Sequence, residues 1–351
     1  MSRAQLTSTV EQNTGGAVAP FVAGKNKFIN GDFYVNQRNL TSQTTDGAYG
    51  FDRWRMYASS GGTYFAQTFT PGTAPVAGYE GKNFARIVTT GQSGASVYTS
   101  IDQPIEDVRT FAGQTVTISF WAKAATGTPK ISLEILQNFG SGGSATVITN
   151  ATAVTISNAW VRYSVSVAIP PISGATIGTG SYIDITFWVS AGTSFASRVN
   201  SIGIQSNTFD FWGIQVEAGS VATPFTTATG TLSGELTACQ RYYNRYTSVG
   251  ASSSYALLLP SAGNADSTTL MSFPIGYPTM RTLPSLTSSG SLVINSGASG
   301  IVVSGGLGAY HYTNQSCLVV ASVTSGLTAG NSGYLRANNN NTAYIELSAE
   351  L

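Results

Sequence analysis

Two stretches that alternate apolar and polar side chains carry the groups best suited to chemistry. In Val116–Lys123, Val116, Ile118, Phe120 and Ala122 fall on one face and Thr117, Ser119, Trp121 and Lys123 on the other. Ser181–Val189 repeats the plan, with Ile183, Ile185, Phe187 and Val189 opposite Tyr182, Asp184, Thr186 and Trp188. Ile131–Gln137 likewise sets Glu134 opposite Ile131, Leu133 and Ile135. A large ring beside hydroxyls and carboxylates is what sugar recognition requires, because the apolar face of a pyranose stacks on the ring while its hydroxyls are hydrogen-bonded at the edge. Trp121, Trp188, Glu134, Asp184 and Tyr182 are therefore the expected carbohydrate-binding residues. The competing reading makes both tryptophans the core of a second sheet face covered by a loop, a domain or another subunit, since large aromatics are on average buried.

Other chemistry finds little support. His311 is the one histidine, flanked by tyrosines and without a nearby carboxylate, and no Gly-x-Ser-x-Gly turn occurs. Glu134 with Asp184 leaves glycoside hydrolysis by an acid and base pair as a minor alternative; the main expectation is a non-enzyme without a catalytic residue. Only 9% of residues are charged and the net charge is +1, so no long-range field draws in nucleic acid or an anionic membrane. No apolar run reaches the roughly 18 residues of a membrane span, and Met1 to Lys27 lacks a secretory h-region; the chain reads as soluble, unexported and not inserted in a membrane. Cys239 and Cys317 are too few for a disulfide framework or a four-ligand zinc site, and read as two buried thiols. Asp52, Arg53 and Arg55 around Trp54 read as a buried ion pair that anchors a loop. Trp160 and Arg162 extend the Trp121 face or stack as a cation pair.

The elements that must position these groups are short strands. From Lys27 onward, runs rich in Val, Ile, Thr, Tyr and Phe alternate with Gly, Ser, Asn and Pro clusters, the pattern of an antiparallel sandwich. The clearest are Val116–Lys123, Ile131–Gln137, Trp160–Ile169, Ser181–Val189 and Phe209–Glu217, with edge strands near Tyr64–Phe69 and Phe84–Thr89. The expected fold is all-β: an arm or adaptor over residues 1–25, a jelly-roll-like β-sandwich over 26–228, a linker with a short helix over 229–247, and a second, smaller β-sandwich domain over 248–351. Three-to-four spacing of Leu236, Cys239, Tyr243 and Tyr246 predicts helix within Gly234–Tyr246. In the last domain Tyr255–Leu259, Leu270–Phe273, Ser291–Ile294, Ile301–Val303, Cys317–Val323 and Ala343–Leu347 are strand candidates. From Thr282 to Leu335 there is no Asp, Glu, Lys or Arg, so edge strands there lack the charges that block association and a homo-oligomer is expected. Tyr242, Tyr243, Tyr246, Arg241 and Arg245 read as an oligomer or domain seam, because aromatics and Arg favour interfaces.

Several phrases resemble bacteriophage tail-fibre and virion structural proteins that carry a carbohydrate-binding-module-like β-sandwich. They are Lys27-Phe28-Ile29-Asn30-Gly31-Asp32-Phe33, Asn36-Gln37-Arg38, Phe51-Asp52-Arg53-Trp54 and Ile118-Ser119-Phe120-Trp121-Ala122-Lys123-Ala124. The closing Trp212-Gly213-Ile214-Gln215-Val216-Glu217-Ala218-Gly219-Ser220, then Ala222-Thr223-Pro224-Phe225 and Cys239-Gln240-Arg241-Tyr242-Tyr243, is the most specific. The resemblance covers about residues 26–246, and Ser348-Ala349-Glu350-Leu351 is similar to the ends of such proteins. It implies a virion protein assembled in the host cytoplasm, joined to other virion proteins through residues 1–25, homotrimeric by analogy with fibres, and contacting host-surface polysaccharide. Its alternative role is an architectural joint, collar or capsid-decoration protein without glycan binding. Related modules hold a structural calcium after the Asn-Gly-x-Phe phrase; Tyr34 stands where they have an acidic ligand, which leaves Asp32 or Asp210 as candidates for such an ion.

Overall fold

The computed structural model describes residues 24–150, 152–297 and 299–351; the arm expected over residues 1–25 lies, apart from its last two residues, outside them. The described chain is nearly all β. Its first part holds β1 Ser42–Gln43, β2 Ala48–Tyr49, β3 Arg55–Ala58, β4 Gly62–Thr68, β5 Asn83–Thr89, β6 Tyr98–Glu106, β7 Thr115–Ala124, β8 Lys130–Asn138, β9 Val147–Asn150, β10 Val154–Thr155, β11 Val161–Ala168, β12 Tyr182–Ala191 and β13 Asn207–Ala218. Sheet I runs β1-β4-β5-β13-β7-β11, and sheet II runs β10-β8-β12-β6-β3-β2, with β9 also on the outer edge of β8. Successive strands β5 to β8 and β11 to β13 cross from one sheet to the other, which is jelly-roll-like connectivity.

The inward faces match the sequence alternation. Val116, Ile118 and Phe120 of β7 and Phe209, Phe211, Ile214 and Val216 of β13 meet Ile183, Ile185 and Phe187 of β12 in one core, each large side chain contributing about 1.5–3 kcal/mol on burial. Phe28, Phe33, Phe51 and Trp54 close one end of it, with Phe28 and Trp54 ring centroids 5.1 Å apart. Gly31 makes this closure possible: its carbonyl accepts from the Ile214 amide at 2.8 Å, and a Cβ on it would stand 2.1 Å from the Ile214 oxygen.

Some elements differ from expectation. β5 is an interior strand, because its far side pairs with β13. β6 is central in sheet II although its sequence hides it: Asp102, Gln103 and Pro104 interrupt the alternation. Gln103 is nonetheless buried, satisfied by both backbone groups of Ile29 at 2.8 Å. The helix is α1, Leu232–Gln240, with Thr231 accepting from the Gly234 amide at its start. Tyr243 and Tyr246 continue its spacing but lie in β14, Tyr243–Thr247, where pairing with the last strand of the chain overrides local periodicity.

The second part comprises β14 with β15 Gly263–Ala265, β16 Leu270–Gly276, β17 Ser285–Ser289, β18 Leu292–Ser296, β19 Ser299–Val302, β20 Gly308–Tyr310, β21 Ser316–Ser322, β22 Ser332–Ala337 and β23 Tyr344–Ser348. A β14-β23-β17 sheet packs on a β19-β18-β22-β15-β16-β21-β20 sheet around Phe273, Ile294, Val319, Leu335, Ile345 and Leu347. Tyr255–Leu259 forms only one bridge, Leu257 to Arg336. Cys239 and Cys317 are both buried and free.

A polar seam joins the two parts. Arg241 makes a bidentate pair with Glu106 at 2.8 and 2.9 Å, and the Tyr242 hydroxyl donates to the same carboxylate. The guanidinium of Arg53 lies 3.6 Å over the Tyr242 ring and that of Arg38 3.6 Å over Tyr243. Arg245 donates to the Arg38 carbonyl and stacks over Tyr344, while the Tyr246 hydroxyl reaches the Gly276 carbonyl. Glu350 from the end of the second part inserts between Arg38 and Arg53. The expected pairing of Asp52 with its neighbours is corrected here: Asp52 accepts from Gln37 and faces Arg38, Arg53 takes Glu350, and Arg55 takes Asp102 and Asp184. Asp52 and Arg53 lie in the turn before β3, where Arg53 takes a left-handed φ of 71°, and only Arg55 is on the strand, so the three side chains diverge.

Two outcomes follow. Gly31→Ala should lower unfolding free energy by about 1–3 kcal/mol through overpacking against β13, measured by urea denaturation. Glu350→Gln should cost about 3–5 kcal/mol by leaving two buried guanidinium groups short of a countercharge, and should increase protease cleavage between residues 228 and 250.

Candidate functional site

The outward face of sheet II is built by register. Thr186 stands opposite Glu134 on β8 and Asp102 on β6, and Arg55 on β3 is opposite Asp102. One row away, Trp188 is opposite Ser132 and Ser100, and Ser100 is opposite Tyr57. The connection after β12, which includes a short 3-10 turn at Thr193–Phe195, folds back over the face and supplies Phe195 and Arg198. Together these groups enclose a cleft of about 350 Å³, lined by Tyr57, Tyr98, Ser100, Tyr182 and Thr186 with the charged groups below.

Charges in the cleft wall are paired within it. Arg198 grips Glu134 through two hydrogen bonds of 2.6 and 2.8 Å. Arg55 donates to Asp102 at 2.7 Å, to Asp184 at 2.9 Å and to the Leu351 carbonyl at 3.1 Å. Asp102 and Asp184 reach the same guanidinium from adjacent strands, and each keeps one buried oxygen without a hydrogen-bond partner. Burial first, and then the negative charge of Asp184, hold the Asp102 carboxyl well above the usual carboxylate range, against the pull of Arg55. Burial also raises the Tyr57 and Tyr182 phenols, so both rings are neutral and able to donate.

The five expected binding residues do not converge. Trp188, Glu134, Asp184 and Tyr182 line this one cleft. Trp121 belongs to β7 and faces outward from sheet I, on the opposite side of the sandwich. There it packs against Trp212 at 5.5 Å and Phe225 at 6.0 Å, under the Arg162 guanidinium; the segment after β13 covers it. Trp160 joins the same cluster through Phe69 and Phe84. Trp188 is 6% exposed, with Phe195, Tyr98 and Arg198 against its ring, so it shapes the cleft wall rather than offering a bare platform. The half-buried rings that remain are Tyr57, Tyr98 and Tyr182.

Sequence reasoning missed Arg55, Tyr57, Tyr98, Ser100, Asp102, Phe195 and Arg198. The period-two series Tyr98, Ser100, Asp102 was a usable signal once Tyr98–Glu106 is read as a strand; Phe195 and Arg198 lie in irregular chain and carried none.

The calcium candidates take different partners. Asp210 is held bidentately by Arg86 at 2.7 and 2.9 Å, with Lys123 at 3.6 Å; two cations already neutralise it, which corrects its expected role. Asp32 is buried, accepts from the Tyr79 hydroxyl at 3.0 Å and is raised above its ordinary value chiefly by burial. Among the described residues no group of three or more His, Cys, Asp or Glu is placed to hold a metal.

The carbohydrate binding domain family profile matches residues 26–179, a span that contains Tyr57, Tyr98, Asp102 and Glu134 and stops just before β12. No curated protein matches significantly. Among solved structures, the chain is similar to a family 4 carbohydrate-binding module at 21% identity, over 54% of this chain and 98% of that one, with a TM-score of 0.30. It is also similar to the CBM22-2 xylan-binding domain of Paenibacillus barcinonensis Xyn10C at 17% identity, over 49% and 94%, with a TM-score of 0.31. The enzymatically active domain of tailspike protein 4 from bacteriophage CBA120 matches at 14% identity, over 56% of this chain and 22% of that one, with a TM-score of 0.32.

The raised carboxyl of Asp102 gives a pH signature. A carboxyl raised in the folded state stabilises fully below its ordinary value, and that stability is lost as pH rises through the folded value. The thermal midpoint of the wild type should therefore fall as pH is raised from the ordinary carboxylate range upward. Asp102→Asn, which keeps the shape and removes the titrating group, should flatten that slope in calorimetric scans across pH.

Proposed function

We propose that this chain binds glycan through the sheet II cleft and serves as a tail-fibre or tail-associated component of a bacteriophage particle that contacts host-surface polysaccharide. One observation carries the binding reading: Tyr57, Tyr98 and Tyr182 stand half-buried around a cleft whose remaining walls are the Ser100 and Thr186 hydroxyls, the apolar Leu136, Trp188 and Phe195, and internally paired charges. Such a cleft offers ring faces for stacking and fixed donors and acceptors for hydroxyls. The carbohydrate binding domain match over residues 26–179 supports the same ligand class. The particle assignment is supported by the ordered phrases across residues 26–246. Self-association of copies, three by analogy with fibres, is supported by the charge-free stretch Thr282–Leu335.

Glu134 and Asp184 suit binding better than acid and base catalysis. Each is already held by a guanidinium, Arg198 and Arg55 respectively, and Glu134 is 2% exposed. The architectural alternative is favoured by the outer face of sheet I, where Phe69, Phe84, Trp212 and Phe225 are buried and Trp121, Trp160 and Tyr79 pack against them.

A glycan array followed by calorimetry on the best hit tests the cleft. Tyr57→Ala and Tyr182→Ala should each weaken binding about 5-fold to 100-fold, since a ring contact in a binding site is worth about 1–3 kcal/mol. Trp121→Phe should leave affinity unchanged. No ligand on a broad array, or equal losses in all three variants, would remove the cleft from the account.

A further inference from the structure

We propose that copies of this chain bind one another through Arg336 of one copy and Asp266 of the next. The proposal rests on the self-association part of the reading above and is independent of the glycan cleft.

Residues 248 to 351 contain five charged side chains: Asp266, Arg281, Arg336, Glu346 and Glu350. Three are used within the chain. Arg281 donates to the carbonyls of Ala349 and Glu350 at 3.0 and 2.9 Å, Glu350 pairs with Arg38 and Arg53, and Glu346 accepts from the hydroxyls of Tyr243 and Thr287. Arg336 and Asp266 are left over. Among the described residues Arg336 is the one arginine without an ion pair or a hydrogen-bond acceptor, and its Nε is shielded from solvent with no partner. Asp266 is exposed and takes a hydrogen bond from the Ser272 hydroxyl but meets no cation.

The surroundings of Arg336 suit a protein surface. Its guanidinium lies 5.0 Å over Tyr255, and it projects from the outer side of β22 beside Tyr334, opposite Val293 of β18, whose other neighbour is Val302 of β19. Leu257 bridges to it from the other side. Leu257 and Val302 are 56% and 54% exposed, and Tyr255 and Tyr334 are exposed as well, which makes an apolar patch with one unmatched positive charge at its centre. Asp266 occupies a different place, the turn between β15 and β16, beside the exposed Leu270. Two patches of opposite charge on one molecule let Arg336 of one copy meet Asp266 of another, either twice across a two-fold axis or once per step around a ring.

Sedimentation velocity on the full chain tests this. Arg336→Glu and Asp266→Arg should each raise the dissociation constant about tenfold or more, since like charges replace an attraction across the contact. The double variant, Arg336→Glu with Asp266→Arg, should restore assembly. Leu257→Ser should weaken assembly while far-UV dichroism and the thermal midpoint stay unchanged. A wild type that remains monomeric at high concentration would sink self-association altogether. An assembling wild type that ignores both reversals, or reversals the double variant fails to rescue, would sink this contact and leave self-association standing. Loss of binding to an acidic polysaccharide on Arg336→Glu, without change in assembly, would assign Arg336 to a ligand and overturn the proposal.

Discussion

The guanidinium of Arg55 is the constraint on which much else depends. It rises from β3 into the outer face of sheet II, reaches Asp102 on β6 and Asp184 on β12, and donates to Leu351 from the second part of the chain. One planar cation thereby cross-links three strands, closes the floor of the cleft and anchors the second β-domain. Such a group is expensive to desolvate and is stable only when its partners are placed by the fold. Here the antiparallel register places them, with Arg55 opposite Asp102 and Asp102 opposite Thr186. Arg38 and Arg53 extend the arrangement toward Glu350.

The sandwich has little polar surface to spare, and it covers each outer face differently. On sheet I, Trp121, Trp160 and Trp212 assemble with Phe69, Phe84 and Phe225 into a second small core. On sheet II, Trp188 makes a smaller cluster with Val199, Ile202 and Phe195 at one end, while the seam occupies the other. What lies between is the cleft. Its openness to ligand is a consequence of two covers that do not meet, and its walls are rigid because each charge in them is already fixed by another.

A low charge content has different consequences in the two parts. In the sandwich the few charges are concentrated where buried ion pairs define the seam and the cleft. In the second part their near absence removes the usual protection of edge strands and leaves hydroxyls, amides and isolated apolar side chains to meet whatever packs there. Arg336 is conspicuous against that background because no acceptor among the described residues reaches it.

The sequence by itself determined the all-β fold and the facing of the best strands, because side chains two residues apart must share a face whatever the topology. Val116 to Ala122 and Ile183 to Val189 point inward as their alternation requires, and Glu134, Asp184 and Trp188 point outward. It did not determine which sheet each strand joins, and that alone separated Trp121 from Trp188. Nor could it show β6, whose buried Asp102 and Gln103 look like solvent-facing residues until their partners, Arg55 and Ile29, come from 47 and 74 residues away. The cleft belongs to the tertiary structure for the same reason. Tyr57, Tyr98, Tyr182 and Arg198 are scattered along the chain, and only the pairing of β3, β6, β8 and β12, with a connection folded back over them, brings them to one place.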